Sequence, residues 1–260
     1  MADTQNVLYE TSGPSARITI NREDRRNALN PDVIAGLADA LKRAEDDDAI
    51  KVVVLTGAGE RAFCAGGDLG TVGDASRVAQ HFLRGEVGDL FRQMRAARFP
   101  IVARLNGHAL AGGFGLMLAC DLVVACDDAE VGTPEINVGL WPFMISAVIQ
   151  RDVPRKIALE LMLTGRRMTA DEAQRWGFLN RVVPRARLDE AVDELVEVLA
   201  GKSPLITSLG KRSFYAAEDM DFDHALQYLA GMLTVCLESE DTVEGVTAFL
   251  EKRAPNWKAR

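Results

Sequence analysis

Twice in the first half of the chain, a mainly apolar run that holds β-branched residues leads into a cluster of small ones. Val52-Val53-Val54-Leu55 precedes Arg61-Ala62-Phe63-Cys64-Ala65-Gly66-Gly67-Asp68-Leu69. The run from Ile101 to Leu105 precedes Asn106-Gly107-His108-Ala109-Leu110-Ala111-Gly112-Gly113-Phe114-Gly115. Small residues directly after a strand let another group approach the main chain closely, whether that group is backbone or ligand. The second cluster also opens a helix, whose free N–H groups and dipole favour negative charge. Taken singly, each cluster also fits a tight turn or close helix–strand packing.

The segments around these clusters alternate strand and helix, which predicts βαβ units and a mostly parallel sheet. Arg17-Ile18-Thr19-Ile20 reads as a strand. Asn30 then caps a helix with Pro31 in its first turn and Asp32 beside its positive end. In that helix Ile34, Leu37, Ala38 and Leu41 recur on one face. Residues 52–55 lack polar alternation, as expected of a strand covered on both sides. Residues 77–97 read as a helix, 101–105 as a strand, 111–119 as a helix and 122–125 as a strand. After about residue 137 the strand signals fade. A helix runs from Pro154 to Leu163, a capping box spans Thr169 to Glu172, and Gly177 ends that helix. Segments 187–200, 204–218, 221–238 and 241–252 also read as helical. The expected organisation is a βα core over residues 1–200 and an all-helical region over 201–260.

Net charge is −8, from 30 basic and 38 acidic residues, which argues against a nucleic-acid partner. Small phosphorylated ligands stay compatible, because a few local cations suffice. The first residues, Met1 to Asn6, carry neither basic nor apolar signal-peptide features. The uncharged stretch from Leu105 to Cys120 contains Asn106, His108 and four glycines and is short of the ~20 apolar residues that span a bilayer. The expectation is a cytoplasmic chain with no membrane segment. The four cysteines form no CxxC pair and no grouping with the three histidines, so reduced thiols and no metal are expected.

Gly57-Ala58-Gly59-Glu60-Arg61-Ala62 fits the dinucleotide fingerprint G-x-G-x-x-A. That fingerprint needs a helix to begin within it, and Phe63 to Gly67 is too rich in small residues to continue one. A strand–helix unit also precedes it, so the fingerprint is set aside.

The two clusters resemble a known family more specifically. Phe63-Cys64-Ala65-Gly66-Gly67-Asp68-Leu69 is similar to the F-x-A-G-x-D-L signature of the enoyl-CoA hydratase/isomerase (crotonase) family. Asn106 through Gly115 is similar to its N-G-x-A-x-G-G-G segment. Asn21-Arg22 with Arg26-Asn27-Ala28-Leu29 resembles its first CoA loop, and Thr133-Pro134-Glu135 with Gly139 its x-P-E-x-x-x-G element. Phe249 through Pro255 resembles its C-terminal F-x-E-K-R-x-P. The matches keep family order and cover the chain from residue 7. The resemblance implies an α/β fold: a crotonase-like core of repeated ββα units in a right-handed spiral, with a C-terminal all-helical trimerisation region. It implies an acyl-CoA substrate and homotrimers, or trimers paired into hexamers. No cofactor is implied beyond the CoA that the substrate carries.

Carried over, the resemblance implies an oxyanion hole from the N–H groups of Gly67 and Gly112. Drawing charge onto a thioester oxygen acidifies the α-carbon, and fixed backbone donors suit that task. CoA would lie along Ala28, Leu29, Ala65, Asp68 and Leu69. Arg25, Lys252 and Phe249 would attend its outer end, although Arg25 and Lys252 also fit solvated surface charges. Trp141, Phe143 and Met144 are candidates for the acyl pocket, and equally for plain core. His108 reads as a structural histidine.

Family hydratases use two glutamates, and this chain has Glu135 but Gly115 where the other would stand. Hydration needs a held water, a base and an acid, whereas moving a proton between C2 and C4 needs one base. The residues lean towards a Δ3–Δ2 enoyl-CoA isomerase or another single-base reaction. Two readings stay beside it: a hydratase with a substituted second group, for instance from residues 70–90, and a non-catalytic acyl-CoA binder.

Overall fold

A computed structural model describes residues 5–68 and 77–259, with backbone alone for 77–84. Val52–Gly57 forms β3, buried at every position. It lies inside a six-stranded sheet. The order is β1 (Val7–Ser12), β2 (Ser15–Ile20), β3, β5 (Ile101–Leu105), β7 (Leu122–Cys126) and β10 (Arg181–Val183). β1 and β2 form an antiparallel hairpin, and every later pairing is parallel. A second sheet holds short strands in the order β4 (Ala62–Cys64), β6 (His108–Leu110), β8 (Glu130–Gly132) and β9 (Arg167–Thr169). Only the β8–β9 pair is antiparallel there.

The two sheets define a repeat. β3 and β4 precede helix α2 (Arg77–Ala96), β5 and β6 precede α3 (Gly112–Leu118), and β7 and β8 precede α4 (Ser146–Asp152). Each ββα unit adds one parallel strand to each sheet, building a spiral whose crossovers are right-handed, as parallel connections are. Helix α1 (Pro31–Glu45) packs on β1, β2 and α2, and α7 (Leu188–Ala200) on β3, β5 and β7. The Asn30 side chain accepts from the Val33 N–H at 2.9 Å, the N-cap expected from sequence. Strand signals do not end near residue 137 as expected, because β9 and β10 lie beyond it. Three-residue strands are too short to show periodicity, and pairing with a neighbour creates them.

Two buried asparagines brace the passage between the sheets. Asn27 Nδ2 donates to the Ala58 and Ala62 carbonyls at 2.9 and 2.7 Å. Asn106 Nδ2 donates to the Gly59 and Ala62 carbonyls at 2.8 and 3.2 Å, while its Oδ1 accepts from the Gly57 N–H at 3.2 Å. Both amides are therefore satisfied in places water barely reaches, as buried polar groups must be.

The helical region comprises α8 (Pro204–Ala217), α9 (Phe222–Leu237) and α10 (Glu240–Glu251). It docks through a buried ion pair. Lys211 Nζ lies 2.7 Å from Asp121 Oδ2 and donates to the Met94 and Phe99 carbonyls, each at 2.9 Å. Asp121 also accepts from the Tyr215 hydroxyl and the Ile101 N–H. At the other end, buried Asp241 accepts from Ser203 Oγ and the Lys258 N–H. On α9 the stripe Leu226, Leu229, Leu233 and Leu237 is 40–59% exposed, so the single chain does not use it as core.

Asp121→Ala would leave the Lys211 ammonium, only 8% exposed, without its counter-charge. We expect a loss of about 3 kcal/mol in urea unfolding, the scale for breaking a buried pair by removing one partner.

Candidate active site

The turn after β4 and the turn after β6 meet. Leu29 donates its N–H to the Gly66 carbonyl at 2.7 Å and accepts from the Asp68 N–H at 2.8 Å. In a parallel bridge of this kind, the residue between those two bonds turns its own N–H away from the bridging strand. That residue is Gly67, and it faces the start of α3. A Cβ built on Gly112 would stand 3.6 Å from the Gly67 nitrogen, and one built on Gly66 would stand 3.1 Å from the Gly112 nitrogen. Among the described residues, neither the Gly67 nor the Gly112 N–H has a protein acceptor.

Close approach requires the small residues. Gly66 has φ +100°, and a methyl there would meet Ala111 Cβ at 2.6 Å. A Cβ on Gly113 would meet the Cys64 carbonyl oxygen at 2.0 Å, so the first turn of α3 rests on β4 with nothing between. Ala111 itself has φ 51° and ψ −127°, a conformation that costs a non-glycine residue about 1–3 kcal/mol. Its N–H donates to the Gly132 carbonyl at 2.9 Å and its carbonyl accepts from Phe114 at 2.9 Å and Gly115 at 3.2 Å. The strained turn is thus held from both sides.

The Ala111–Gly132 bond also places Glu135. Three residues span at most ~11 Å, so β8 delivers Glu135 close to the turn that carries Gly112. Glu135 lies in a short 3-10 segment, Pro134–Val138, which ends at Gly139 with φ 74°. Its Oε2 is buried with no hydrogen-bond partner among the described residues. Burial raises its pKa above the ordinary 4.5, against a smaller lowering by its own backbone N–H. A desolvated carboxylate with one oxygen unpartnered, on a segment tied to the turn of Gly112, is suited to accept a proton at that oxygen.

Nothing acidic stands across from it on α3. A Cβ on Gly115 would lie 2.1 Å from Ile145 Cγ2 and 2.5 Å from Ile145 Cβ. His108 is used structurally, its Nδ1 accepting from the Glu130 N–H at 3.0 Å. Cys64 lies close to both turns, but burial pushes its thiol up to about 12, so it is protonated at neutral pH and no nucleophile.

Beside the site opens a cleft of about 510 Å³, lined in part by Arg26, Arg61, Ala65, His108, Leu110 and Arg167. Arg26 and Arg61 enter no ion pair among the described residues, so two cations are available to an anionic group there. Sequence reasoning named Arg25 instead. That side chain is 65% exposed and leans on Asp24 at 3.7 Å, while the next residue, turned by φ 52°, faces the cleft. Ala28 and Leu29 are buried and do not line that cleft, but Leu29 Cδ1 stands 3.4 Å from a Cβ on Gly112, beside the oxyanion turn. Asp68 is a brace rather than an open contact, its carboxylate held by Arg22 at 3.0 Å with both side chains about 15% exposed. Arg22 also donates to the Ala28 carbonyl at 2.7 Å, tying the loop to the site.

Leu69 lies outside the described residues. Trp141 is half-buried against the core, Phe143 is 77% exposed, and Met144 reaches towards Gly88 of α2. Phe249 is 81% exposed and Lys252 is exposed at the left-handed end of α10. Neither lines the cleft of this chain.

One spiral of two sheets, two converging glycine amides and a carboxylate with a buried, unpartnered oxygen define a protein suited to hold a carbonyl oxygen near a base. Comparison with known proteins gives the family. Residues 10–260 match the model described as enoyl-CoA hydratase/isomerase. The chain is similar to the carnitinyl-CoA dehydratases of Proteus mirabilis and Salmonella typhi, at 33% and 35% identity over 99% of this chain and 100% of each relative. Among solved structures it resembles the enoyl-CoA hydratase of Mycobacterium smegmatis, with TM-score 0.93 and 33% identity over 97% of this chain and 98% of that one. Human enoyl Coenzyme A hydratase domain-containing protein 3 gives TM-score 0.93 and 30% identity over 97% and 100%. This chain belongs to the enoyl-CoA hydratase/isomerase family, and its core is the crotonase fold.

Gly113→Ala would push the first turn of α3 off the Cys64 carbonyl and carry the Gly112 amide with it. We expect turnover of a CoA thioester to fall about 10²-fold, the scale of a 1 Å misplacement, with KM changed much less. Steady-state kinetics on the folded variant check this.

Proposed function

We propose that this chain acts on enoyl-CoA thioesters with Glu135 as a single base, moving a proton between C2 and C4 in the manner of a Δ3–Δ2 enoyl-CoA isomerase. The observation that carries the reading is that Glu135 has a buried, unpartnered oxygen, while Gly115, at the position of the family's other glutamate, offers no second carboxylate. In this mechanism the thioester oxygen sits between the Gly67 and Gly112 amides. Glu135 removes a proton from one carbon, the electron pair flows to that oxygen, and the acid formed returns the proton at the other carbon. No atom is gained, and no cofactor is needed beyond the CoA of the substrate. Ala28, Leu29 and Ala65 would flank the CoA moiety, with Arg26 and Arg61 beside its phosphates.

Loss of water from a 3-hydroxyacyl-CoA, or its addition, is the second reading, favoured by the names of the relatives. It requires a second group to handle the hydroxyl.

The proposal includes a homotrimer, or paired trimers, in the cytoplasm. Its support is the exposed apolar surface of α8 to α10, where Phe214, Phe222 and Phe249 are 70–81% exposed. A neighbour's α10 would then supply Phe249 and Lys252 to the outer end of CoA. No helix among the described residues is long and apolar enough to cross a membrane. Sedimentation of the purified chain checks the assembly, and a monomer would refute it.

Offering a 2-enoyl-CoA and a 3-enoyl-CoA in parallel tests the reaction. Isomerisation creates the conjugated absorbance and hydration removes it, and hydration without isomerisation would defeat the proposal. Glu135→Gln should cost about 10²–10⁴ in kcat, the usual worth of a positioned base. Unchanged turnover would refute the base assignment.

A base must be ionised to act, and burial raises the pKa of Glu135. Activity should therefore rise with pH through a midpoint above 4.5. Glu135→Gln should lose that acid limb.

A further inference from the structure

We propose that Ile145 is the specificity-determining residue that makes this site move a proton instead of adding water. The inference rests on Glu135 acting as the single base.

Gly112 and Gly115 stand three residues apart on α3, so their side-chain directions share one face of the helix. Gly112 turns its own Cβ direction towards Leu29 and the Gly67 nitrogen, so that face is the one that borders the oxyanion site. The space beyond Gly115 on the same face is filled by Ile145, whose Cγ2 stands 2.1 Å from where a Cβ would be. Ile145 is 4% exposed. The residues around it fix the side chain there: the Ser146 N–H and Oγ both donate to the Pro142 carbonyl, at 2.9 and 2.7 Å, and α4 begins directly after.

Adding water puts OH on C3 and H on C2 and consumes one water, which must be held by two to four polar partners before it attacks. Ile145 and Gly115 offer that water neither donor nor acceptor side chain. The proton transfer consumes no water and is indifferent to a dry wall. A side chain on Gly115 alone cannot restore hydration, because Ile145 already occupies its place.

The test offers the full-length protein a 3-enoyl-CoA and a 2-enoyl-CoA in parallel, and reads the 2-enoyl-CoA made from the first against the 3-hydroxyacyl-CoA made from the second. Ile145→Ala, alone and paired with Gly115→Glu, should raise the ratio of hydration to isomerisation at least about tenfold. Ile145→Val should give a smaller rise, and it keeps the test readable if the alanine variant fails to fold. Gly115→Glu alone should melt at lower temperature and gain no hydration. A folded Ile145 variant with isomerisation present and the ratio unchanged would overturn the assignment, as would a stable, hydrating Gly115→Glu. Wild type without isomerisation, combined with hydration gained in Ile145→Ala, would sink the single-base reading and leave Ile145 in its role.

Discussion

The turns after β4 and β6 approach so closely that a methyl on Gly66 would meet Ala111 Cβ at 2.6 Å. That contact sets two amide nitrogens, from residues 45 positions apart in the sequence, around one point. Backbone donors of this kind need no reorganisation when charge develops on a bound oxygen, which is why they stabilise it well. The approach has a local cost, carried by Ala111 in a conformation that side chains avoid. The bonds from Ala111 to Gly132, Phe114 and Gly115 hold it there.

The rest of the core serves that approach. Asn27 and Asn106 converge on the Ala62 carbonyl and lock the start of β4 to the loop at 22–29 and to the end of β5. Arg22 and Asp68 close the same loop over the site. The ββα repeat then stacks β8 against β6, and the short segment beyond β8 presents Glu135. Its side chain is half-buried with one carboxylate oxygen unpartnered, and burial raises its proton affinity, as the proposed base requires. The same segment continues to Ile145, which packs against Gly115 of α3. The proposed base and the dry wall thus come from one stretch of eleven residues.

The helical region is fixed to this core at its near side and unsatisfied at its far side. Lys211, Asp121 and Tyr215 form a buried polar anchor under α8. Beyond it, α9 has no buried residue at all in the single chain, although its sequence is apolar. A surface of that extent on a folded chain marks a contact with something else, and the occupant proposed here is a second copy, which would bring Phe249 and Lys252 into use.

The sequence by itself determined the long elements and the chemistry of the glycine turns. Caps such as Asn30, the continuous apolar run of β3 and the 3.6-residue periodicity of the later helices are local signals, each readable within a dozen residues. Glycine followed by glycine after a strand is equally local, so Gly67, Gly112 and Glu135 could be named from motif alone. Tertiary structure decided what depends on contacts between distant segments. It made β4, β6, β8, β9 and β10 into strands, because three-residue strands carry no pattern of their own. It turned Arg26 rather than Arg25 to the cleft through a left-handed φ, engaged Asp68 with Arg22, and left the α9 stripe in the open. It also gave the space beyond Gly115 to Ile145. Sequence records that a side chain is missing there, and only packing between residues 30 positions apart records what fills its place.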